Sequence, residues 1–347
     1  DINDLREGMT VLIGDLEGSK VILDKVSANP KTSNGMSLVK PVSIIPFIYT
    51  IIGDRHQVPL SSIAPEGPLY DFYINWGDGS PIDHVTDRYD FDKYFHIYAI
   101  DGIHEISITG IIEGFSTMHS NRNIVDIKQW GCFSFKRSDA HFKHCGDLIN
   151  ITATDVPNLN ETDTLSNCFC DCLNLLTIPN INNWDVSSVT NMATMFSNVR
   201  GFNGDVSSWD VSNVITMDSM FEYCLNFNQP LNNWNTSKVT DMGFMFRNCL
   251  NFNQPLNNWN TSKVMHMDQM FYLALSFNQD ISMWDISNVT NMEYMFYGSA
   301  FSTENYEKLL VGWSAQNVQP NVRFHAGSAK YHAAYAPYKQ ILLDKGW

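Results

Sequence analysis

Apolar residues recur through the second half of the chain at a fixed spacing of 25 residues. Tryptophan stands at the same place in five successive units, at Trp184, Trp209, Trp234, Trp259 and Trp284. One segment, NFNQPLNNWNTSKV, occurs unchanged at 226–239 and again at 251–264. Self-similarity at this period is typical of a solenoid, whose units bury their apolar faces only against each other.

The first half of each unit has apolar spacing that fits one face of a short helix. In one unit the apolar positions are Val239, Met242, Met245 and Phe246. Offsets of three, six and seven residues place all four on one arc of a helix. A serine just ahead of this run predicts an N-cap in every unit. These serines are Ser187, Ser212, Ser237, Ser262 and Ser287.

The second half of each unit predicts a turn followed by a short strand. The segment from Phe227 to Trp234 contains an Asn-Gln-Pro corner and then a brief extended stretch. Stacked units would place these strands in a parallel ladder with a spacing of about 4.8 Å. An asparagine recurs at each corner, where backbone groups need partners, so we expect an internal asparagine ladder. Its members are Asn203, Asn228, Asn253 and Asn278.

The flanks of the regular units also carry structural patterns. Residues 141–159 and 164–181 keep the aromatic, cysteine and leucine columns but lack the methionine and tryptophan columns, which predicts degenerate or capping repeats. Downstream, an i, i+3, i+4, i+7 pattern behind Ser302 predicts an amphipathic helix. The apolar positions of this helix are Tyr306, Leu309, Leu310 and Trp313. A second helix near the end of the chain would join it in sealing the stack.

The first third of the chain reads as β structure. Tyr70, Phe72, Ile74 and Trp76 alternate with polar residues, and this run leads directly into a WGDG turn. A second alternating run follows at 104–115. Residues 1–40 predict a small β segment followed by a linker.

Charge and hydropathy narrow the classes of partner. The formal net charge is −15, so the phosphate-neutralising attraction of nucleic-acid-binding proteins is missing, and we expect no nucleic-acid partner. No apolar run approaches the length of about 18 residues that a spanning helix needs, so we expect no membrane insertion within this chain. Only 17% of residues are charged, which favours neutral, hydrogen-bonding surfaces.

Candidate chemical sites are few. His141, His144 and Cys145 have zinc-ligand types, but the cysteine aligns with the core column of Cys224 and Cys249, so we expect the histidines to face solvent. The two aligned cysteines are either bridged or stacked as free thiols, and the sequence favours free thiols. Asp78 and Asp83 could serve a calcium site, although hydrogen bonding within the turn is the simpler interpretation. No catalytic motif is present, and we expect no enzyme activity, metal or cofactor.

Two segments resemble known families. WDVSNVITMDSMF (209–221) and FNQPLNNW (227–234) resemble a bacterial surface-protein repeat family, the Mycoplasma lipoprotein-associated relatives of BspA-like leucine-rich repeats. The WGDG strand and its successor, within 41–120, resemble a polycystic-kidney-disease-type (PKD-like) β-sandwich. These resemblances imply an α+β multidomain protein: an immunoglobulin-like β-sandwich (41–120), a leucine-rich-repeat-like solenoid with a short strand and short helix per coil (121–300, regular from 184), and a helical C-terminal cap (301–347).

The expected function is recognition without catalysis. The resemblance implies a protein displayed at a cell surface or secreted, which binds a glycan or protein receptor on the strand-lined face of the solenoid. The residues expected to contact the ligand are Ser207, Asn232, Asn233, Asn257, Asn258 and Ser282. Three alternatives remain open: the receptor-binding tip of a phage or virus fibre, a structural spacer, and a glycan-active enzyme. No oligomeric state is predicted.

Overall fold

The computed structural model describes residues 12–14, 20–22, 45–61, 70–118, 122–136 and 138–347. Two three-residue strands, β1 (Leu12–Gly14) and β2 (Lys20–Ile22), pair antiparallel within the predicted small β segment. The predicted linker that follows them lies outside the described residues. No helix in the described ranges is long and apolar enough to cross a membrane.

A single six-stranded sheet occupies the N-terminal part of the described chain. Its strands are β3 (Phe47–Gln57), β4 (Tyr70–Asn75), β5 (Asp83–Val85), β6 (Phe95–Ile112), β7 (Ile124–Gln129) and β8 (Asn150–Ile151), in the order β5-β4-β6-β3-β7-β8. Adjacent strands are antiparallel except for β7 and β8, which are parallel. A single helical turn, α1 (Phe91–Tyr94), precedes β6.

The predicted immunoglobulin-like sandwich is wrong, because the described strands of this region form one sheet rather than two facing sheets. The alternation of β4 is observed, with Tyr70, Phe72 and Ile74 buried. Their face is covered by aromatic side chains from downstream segments instead of a second sheet. Phe47 on β3 lies 5.8 Å from Phe115 and 4.6 Å from Phe133, measured between ring centroids.

The regular repeats contain no α-helix anywhere in residues 184–300, all of which the structure describes. The methionine segment is a chain of turns in which alternate backbone N–H groups bond to different partners. Thr194 N–H donates to Asp218 O in the next unit at 2.8 Å, whereas Met195 N–H donates to Met192 O within its own unit at 3.2 Å. The predicted helix in each repeat is therefore wrong.

Left-handed backbone conformations explain why a helix cannot form there. In each regular unit one or two residues of this segment that are not glycine have φ between 51° and 62°. A right-handed helix cannot pass through such residues. They are Thr194, Asn198, Ser219, Tyr223, Phe244, Asn248, Gln269, Leu273 and Tyr294. The predicted serine N-caps are absent as well; Ser237 N–H instead donates to Asn235 Oδ1 at 3.2 Å in a local turn.

Units are joined by parallel bridges of one residue each, located away from the predicted strand. The bridged residues are Thr164, Asn191, Thr216, Asp241, His266 and Asn291, and each pairs with the next. The predicted strand between Phe227 and Trp234 is not formed. With neither an α-helix nor a strand in its regular units (184–300), the region is not the leucine-rich-repeat-like solenoid of the predicted fold class. It is a stack of turn-rich units beside a mixed sheet.

The C-terminal segment is not the predicted helical cap. It contains α2 (Thr303–Ser314), whose N-cap Ser302 accepts a hydrogen bond from Asn305 N–H, and α3 (Ala336–Leu343). Fewer than half of residues 301–347 are helical. The bridge to the last repeat is made by Phe324, which pairs with Met292 in a non-helical segment. The backbone of the last unit is therefore paired, at Met292, with a non-helical segment of the C-terminal region.

One core runs through the sheet and the repeats. Phenylalanine rings of successive units stack at centroid distances of 5.6 to 5.9 Å. The column consists of Phe142, Phe169, Phe196, Phe221, Phe246, Phe271 and Phe296. All ten repeat methionines are fully buried beside it. The indole and thioether side chains of successive units therefore share one continuous interior.

Candidate binding face

The side chains that vary most between units lie on the turn segments joined by hydrogen bonds. We call this surface the ladder face and define it as the non-core positions of residues 193–198, 218–223, 243–248, 268–273 and 293–298. Core columns on either side are nearly constant, while these positions change from unit to unit. Because backbone hydrogen bonds connect neighbouring units here, the variable side chains are held in rows at fixed spacing.

Arg247 is at the centre of the ladder face. Its guanidinium carbon lies 5.7 Å from the Tyr223 ring centroid, 5.7 Å from that of Phe244 and 5.3 Å from that of Tyr272. Arg247 Nη1 also bonds to Glu222 Oε1 at 2.9 Å. These contacts connect three successive units, so they fix the relative positions of the aromatic rings.

The aromatic side chains of the ladder face form a row, which we call the aromatic row, and this row continues to the C-terminal segment. The Tyr272 and Tyr297 rings are stacked with centroids 5.0 Å apart, and His325 lies 5.7 Å from the Tyr297 ring. Tyr223, Tyr294 and Tyr297 are each between 37% and 45% exposed. Aromatic side chains such as tyrosine are enriched at the centres of protein interfaces. These tyrosines are partly exposed and are held in place by their neighbours.

Carboxylates lie beside the aromatic row. A Cβ atom at Gly243 would be 3.2 to 3.3 Å from Oδ1 of Asp218, Asp241 and Asp268, so glycine leaves room for three converging acids. Burial, followed by the neighbouring Asp241, raises the pKa of Asp218 to about 6. Burial also raises the pKa of Asp268. Among the described residues, no group of histidine, cysteine, aspartate or glutamate side chains is arranged to hold a metal ion.

The predicted ligand-binding residues lie on the turns at the tryptophan side of the repeat. Three of them bond to one another: Asn232 Nδ2 donates to Asn257 Oδ1 at 3.4 Å, and Asn258 N–H donates to Asn232 Oδ1 at 2.9 Å. Ser207 and Ser282 N–H groups bond to carboxylates two residues earlier, on Asp205 and Asp280. Asn233 is exposed. The four asparagines, Asn232, Asn233, Asn257 and Asn258, form a surface that we call the amide row, which is separate in sequence from the ladder face.

The predicted asparagine ladder is confirmed as a hydrogen-bonded series, but it lies at the surface and not in the interior as predicted. Asn228 N–H donates to Asn203 Oδ1 at 2.9 Å, and the same bond recurs from Asn253 to Asn228 and from Asn278 to Asn253. Ser302 N–H closes the series on Asn278 Oδ1 at 3.0 Å. The asparagines sit at the surface corner, where their side chains replace backbone partners.

The other candidate sites have structural partners. Cys224 and Cys249 are free and buried, each donating its thiol to the carbonyl of a phenylalanine in the preceding unit, Phe196 or Phe221. Asp78 Oδ1 accepts bonds from Ser80 N–H and Oγ, which is the predicted turn. Asp83 Oδ2 accepts the Trp76 indole N–H at 2.8 Å.

The histidine prediction is half wrong. His141 is fully buried, and burial lowers its pKa to about 3, so it is neutral and does not face solvent. His144 is partly exposed and lies 2.9 Å from Asp171. Cys145 is buried in the core as predicted.

A family model matches the repeats. The model described as "Mycoplasma protein of unknown function, DUF285" matches residues 136–249, 162–274 and 226–335. Together these matches span 136–335, more than half of the 347-residue chain. The chain belongs to this family. No curated protein and no solved structure matches the chain significantly.

Three overlapping DUF285 matches agree with the repeat seen in the structure. Sequence reasoning missed the ladder face because it assigned these residues to a helix. A usable signal was present in the sequence. The variable positions between the constant methionines and just after the Met-Phe pair hold Arg247, Tyr272, Tyr294 and Tyr297, which are large residues that the core does not require.

Proposed function

We propose that this chain is a recognition protein without enzymatic activity and that it binds a partner protein through the ladder face. The observation that carries the proposal is Arg247 held among Tyr223, Phe244 and Tyr272. Arginine and tyrosine are the side chains that most often dominate interface free energy, and their loss of conformational freedom on binding is small when neighbours already hold them.

The charge pattern indicates the chemistry of the partner. Carboxylates of Asp218, Asp241 and Asp268 converge beside the aromatic row, and the whole chain carries a net charge of −15. A partner surface with exposed lysine or arginine would complement this field and associate faster at low ionic strength. Display at a cell surface or secretion, as the repeat resemblance implies, is part of the proposal.

A glycan ligand is the second candidate, and the amide row favours it. Asn232, Asn233, Asn257 and Asn258 present amides at one spacing, and such groups bond to sugar hydroxyls. The three alternatives are distinguished by different observations. A structural spacer would bind nothing on the arrays, a fibre tip is expected to be a trimer in solution, and a glycan-active enzyme would release reducing sugar from a polysaccharide.

The test uses fluorescently labelled chain on a printed array of extracellular protein domains and on a printed glycan array. We expect the labelled chain to bind to spots that carry protein domains. Tyr272→Ala and Arg247→Ala should each weaken this binding by about tenfold or more, because each removes one interface anchor. Asn232→Ala with Asn257→Ala is the matched control from the amide row and should bind normally. Binding confined to glycan spots and lost only in the amide-row variant would replace the first candidate with the second.

A further inference from the structure

The asparagine ladder has an unfilled position at its first member. Three corner asparagines, Asn203, Asn228 and Asn253, each receive two groups from the following unit: a backbone N–H and a glutamine amide. Asn203 Oδ1 accepts Asn228 N–H at 2.9 Å, and Asn203 O accepts Gln229 Nε2 at 3.0 Å. The same pair of bonds is repeated at Asn228 and at Asn253.

The unit before Asn203 lacks both partners. Leu176 follows the core residue Leu175 as Asn203 follows Phe202, and it has no side-chain oxygen to accept the Asn203 N–H. Gly204 stands where later units have glutamine, so nothing from that position donates to the Leu176 carbonyl. Within the part of the chain that the structure describes, neither Asn203 N–H nor Leu176 O makes a hydrogen bond.

A groove of about 510 Å³ lies between these two corners. It is open because the earlier loop is longer: five residues separate Leu175 from Ile181, whereas three separate Phe202 from Val206. Two glycines line the groove, and neither position has room for a side chain. A Cβ at Gly204 would meet the Phe202 ring at 2.8 Å and a methyl of Ile181 at 3.3 Å, and a Cβ at Gly201 would meet Leu176 Cδ2 at 2.6 Å.

We propose that this groove binds the acetamido group of an N-acetylated sugar. The ladder itself shows which chemistry fits, because an amide oxygen satisfies the N–H and an amide N–H satisfies the carbonyl in every later unit. An acetamido group supplies both in one piece. Its methyl group then contacts the apolar side chains that line the groove, which include Leu176, Pro179 and Ile181.

Polar groups at the rim suit the sugar hydroxyls. Asp205 lines the groove, and its Oδ1 accepts Ser207 N–H at 2.9 Å. Asn180 and Asn182 also line the groove. A sugar carrying hydroxyls around the acetamido group therefore fits this groove better than a bare amide side chain of a protein. The groove is built from different residues than the ladder face, so the two sites can be tested separately.

The experiment titrates the full chain with triacetylchitotriose and follows binding by calorimetry and by ligand-observed saturation-transfer NMR. Cellotriose, which lacks acetamido groups, is the matched ligand control. We expect the acetamido protons to receive the strongest saturation and cellotriose not to bind. Leu176→Asn would place the missing asparagine in the ladder, and should weaken binding by about tenfold, one hydrogen-bonded anchor. Leu176 is 53% exposed, so this variant should fold normally.

Tyr272→Ala is the control variant and should leave sugar binding unchanged, which separates this site from the ladder face. Equal binding of cellotriose, unchanged binding by the Leu176→Asn variant, or no binding at millimolar sugar would overturn the proposal. A peptide that contains an asparagine side chain could also be titrated. If it bound more strongly than the acetylated sugar, the proposal would be overturned in favour of a protein ligand.

Discussion

The indole N–H of Trp259 donates a 2.8 Å hydrogen bond to the backbone carbonyl of Leu231, 28 residues earlier in the chain. The same bond is made by Trp209, Trp234 and Trp284 to the preceding unit. Trp184, the first of the series, is equally buried, but its Nε1 has no hydrogen-bond partner among the described residues. Trp184 therefore serves as an internal control for the contribution of the indole hydrogen bond to the stability of the fold.

Trp259→Phe should destabilise the fold more than Trp184→Phe. Both substitutions remove the same atoms from a buried site, but only the first leaves a buried carbonyl without one of its donors. We expect the difference in the free energy of unfolding to be about 1 kcal/mol, a typical net value for one hydrogen bond. Urea unfolding of the two variants measures it, and equal midpoints would show that the indole bond contributes nothing.

The period and the core were predictable from the sequence. Residues such as Trp259 and Met242 recur at constant intervals, and only stacking could bury them all. The asparagine ladder followed from the same reasoning, since Asn228 and its equivalents stand where a corner exposes backbone groups. Both predictions depend on what each unit shares with its neighbours.

The backbone path within a unit was not predictable in the same way. Offsets of three, six and seven from Val239 fit a helix, but they equally fit consecutive turns closed by local bonds such as Met245 N–H to Met242 O. What decides between them is the neighbouring unit, whose carbonyls accept every second N–H. Because the helix assignment failed, the ladder face around Arg247 was missed and the site was placed on the amide row.

Substituting glycine and alanine at position 269 should distinguish the observed consecutive turns from the helix that the sequence predicted. Gln269 has φ of 51°, where glycine is unstrained and alanine is not. We expect Gln269→Gly to be more stable than Gln269→Ala by about 1 kcal/mol, the usual cost of a left-handed residue. In a helix the order would be reversed by a similar amount. Chemical denaturation of the pair decides the sign.

The thiols of the core should be unreactive in the folded protein. Burial raises the pKa of Cys224 and Cys249 far above the usual range, so neither forms a thiolate at neutral pH. We expect six cysteines to resist Ellman's reagent under native conditions, with Cys132, which is only partly buried, the first to react. In denaturant all seven should react. A count below seven there would reveal a disulfide and contradict the free thiols.

Asp218→Asn should stabilise the protein at neutral pH. The folded pKa of Asp218, about 6, is above its ordinary value of 3.8, so between these values the folded state holds a proton that the unfolded state has lost. The contribution of Asp218 to stability is therefore present at low pH and is lost as the pH rises through 6. We expect a gain of about 1 kcal/mol at pH 7.5, since the half-buried carboxyl keeps part of its hydration, and almost none at pH 4.

Asp210→Asn is the matched control for this prediction. Hydrogen bonds from Ser212 lower the pKa of Asp210, so its contribution is present above its unfolded pKa and is lost only in acid. This variant should be less stable than the parent protein at pH 7.5, the opposite sign to Asp218→Asn. Asp241, Asp268 and Glu222 interact with Asp218 and remain in both variants, so the change in Asp218→Asn reports the whole carboxylate cluster, whereas Asp210→Asn leaves that cluster intact. If Asp218→Asn lowered the unfolding midpoint at pH 7.5, neither the burial of the Asp218 carboxyl nor its repulsion by Asp241 and Asp268 would outweigh the hydrogen bonding of the carboxylate.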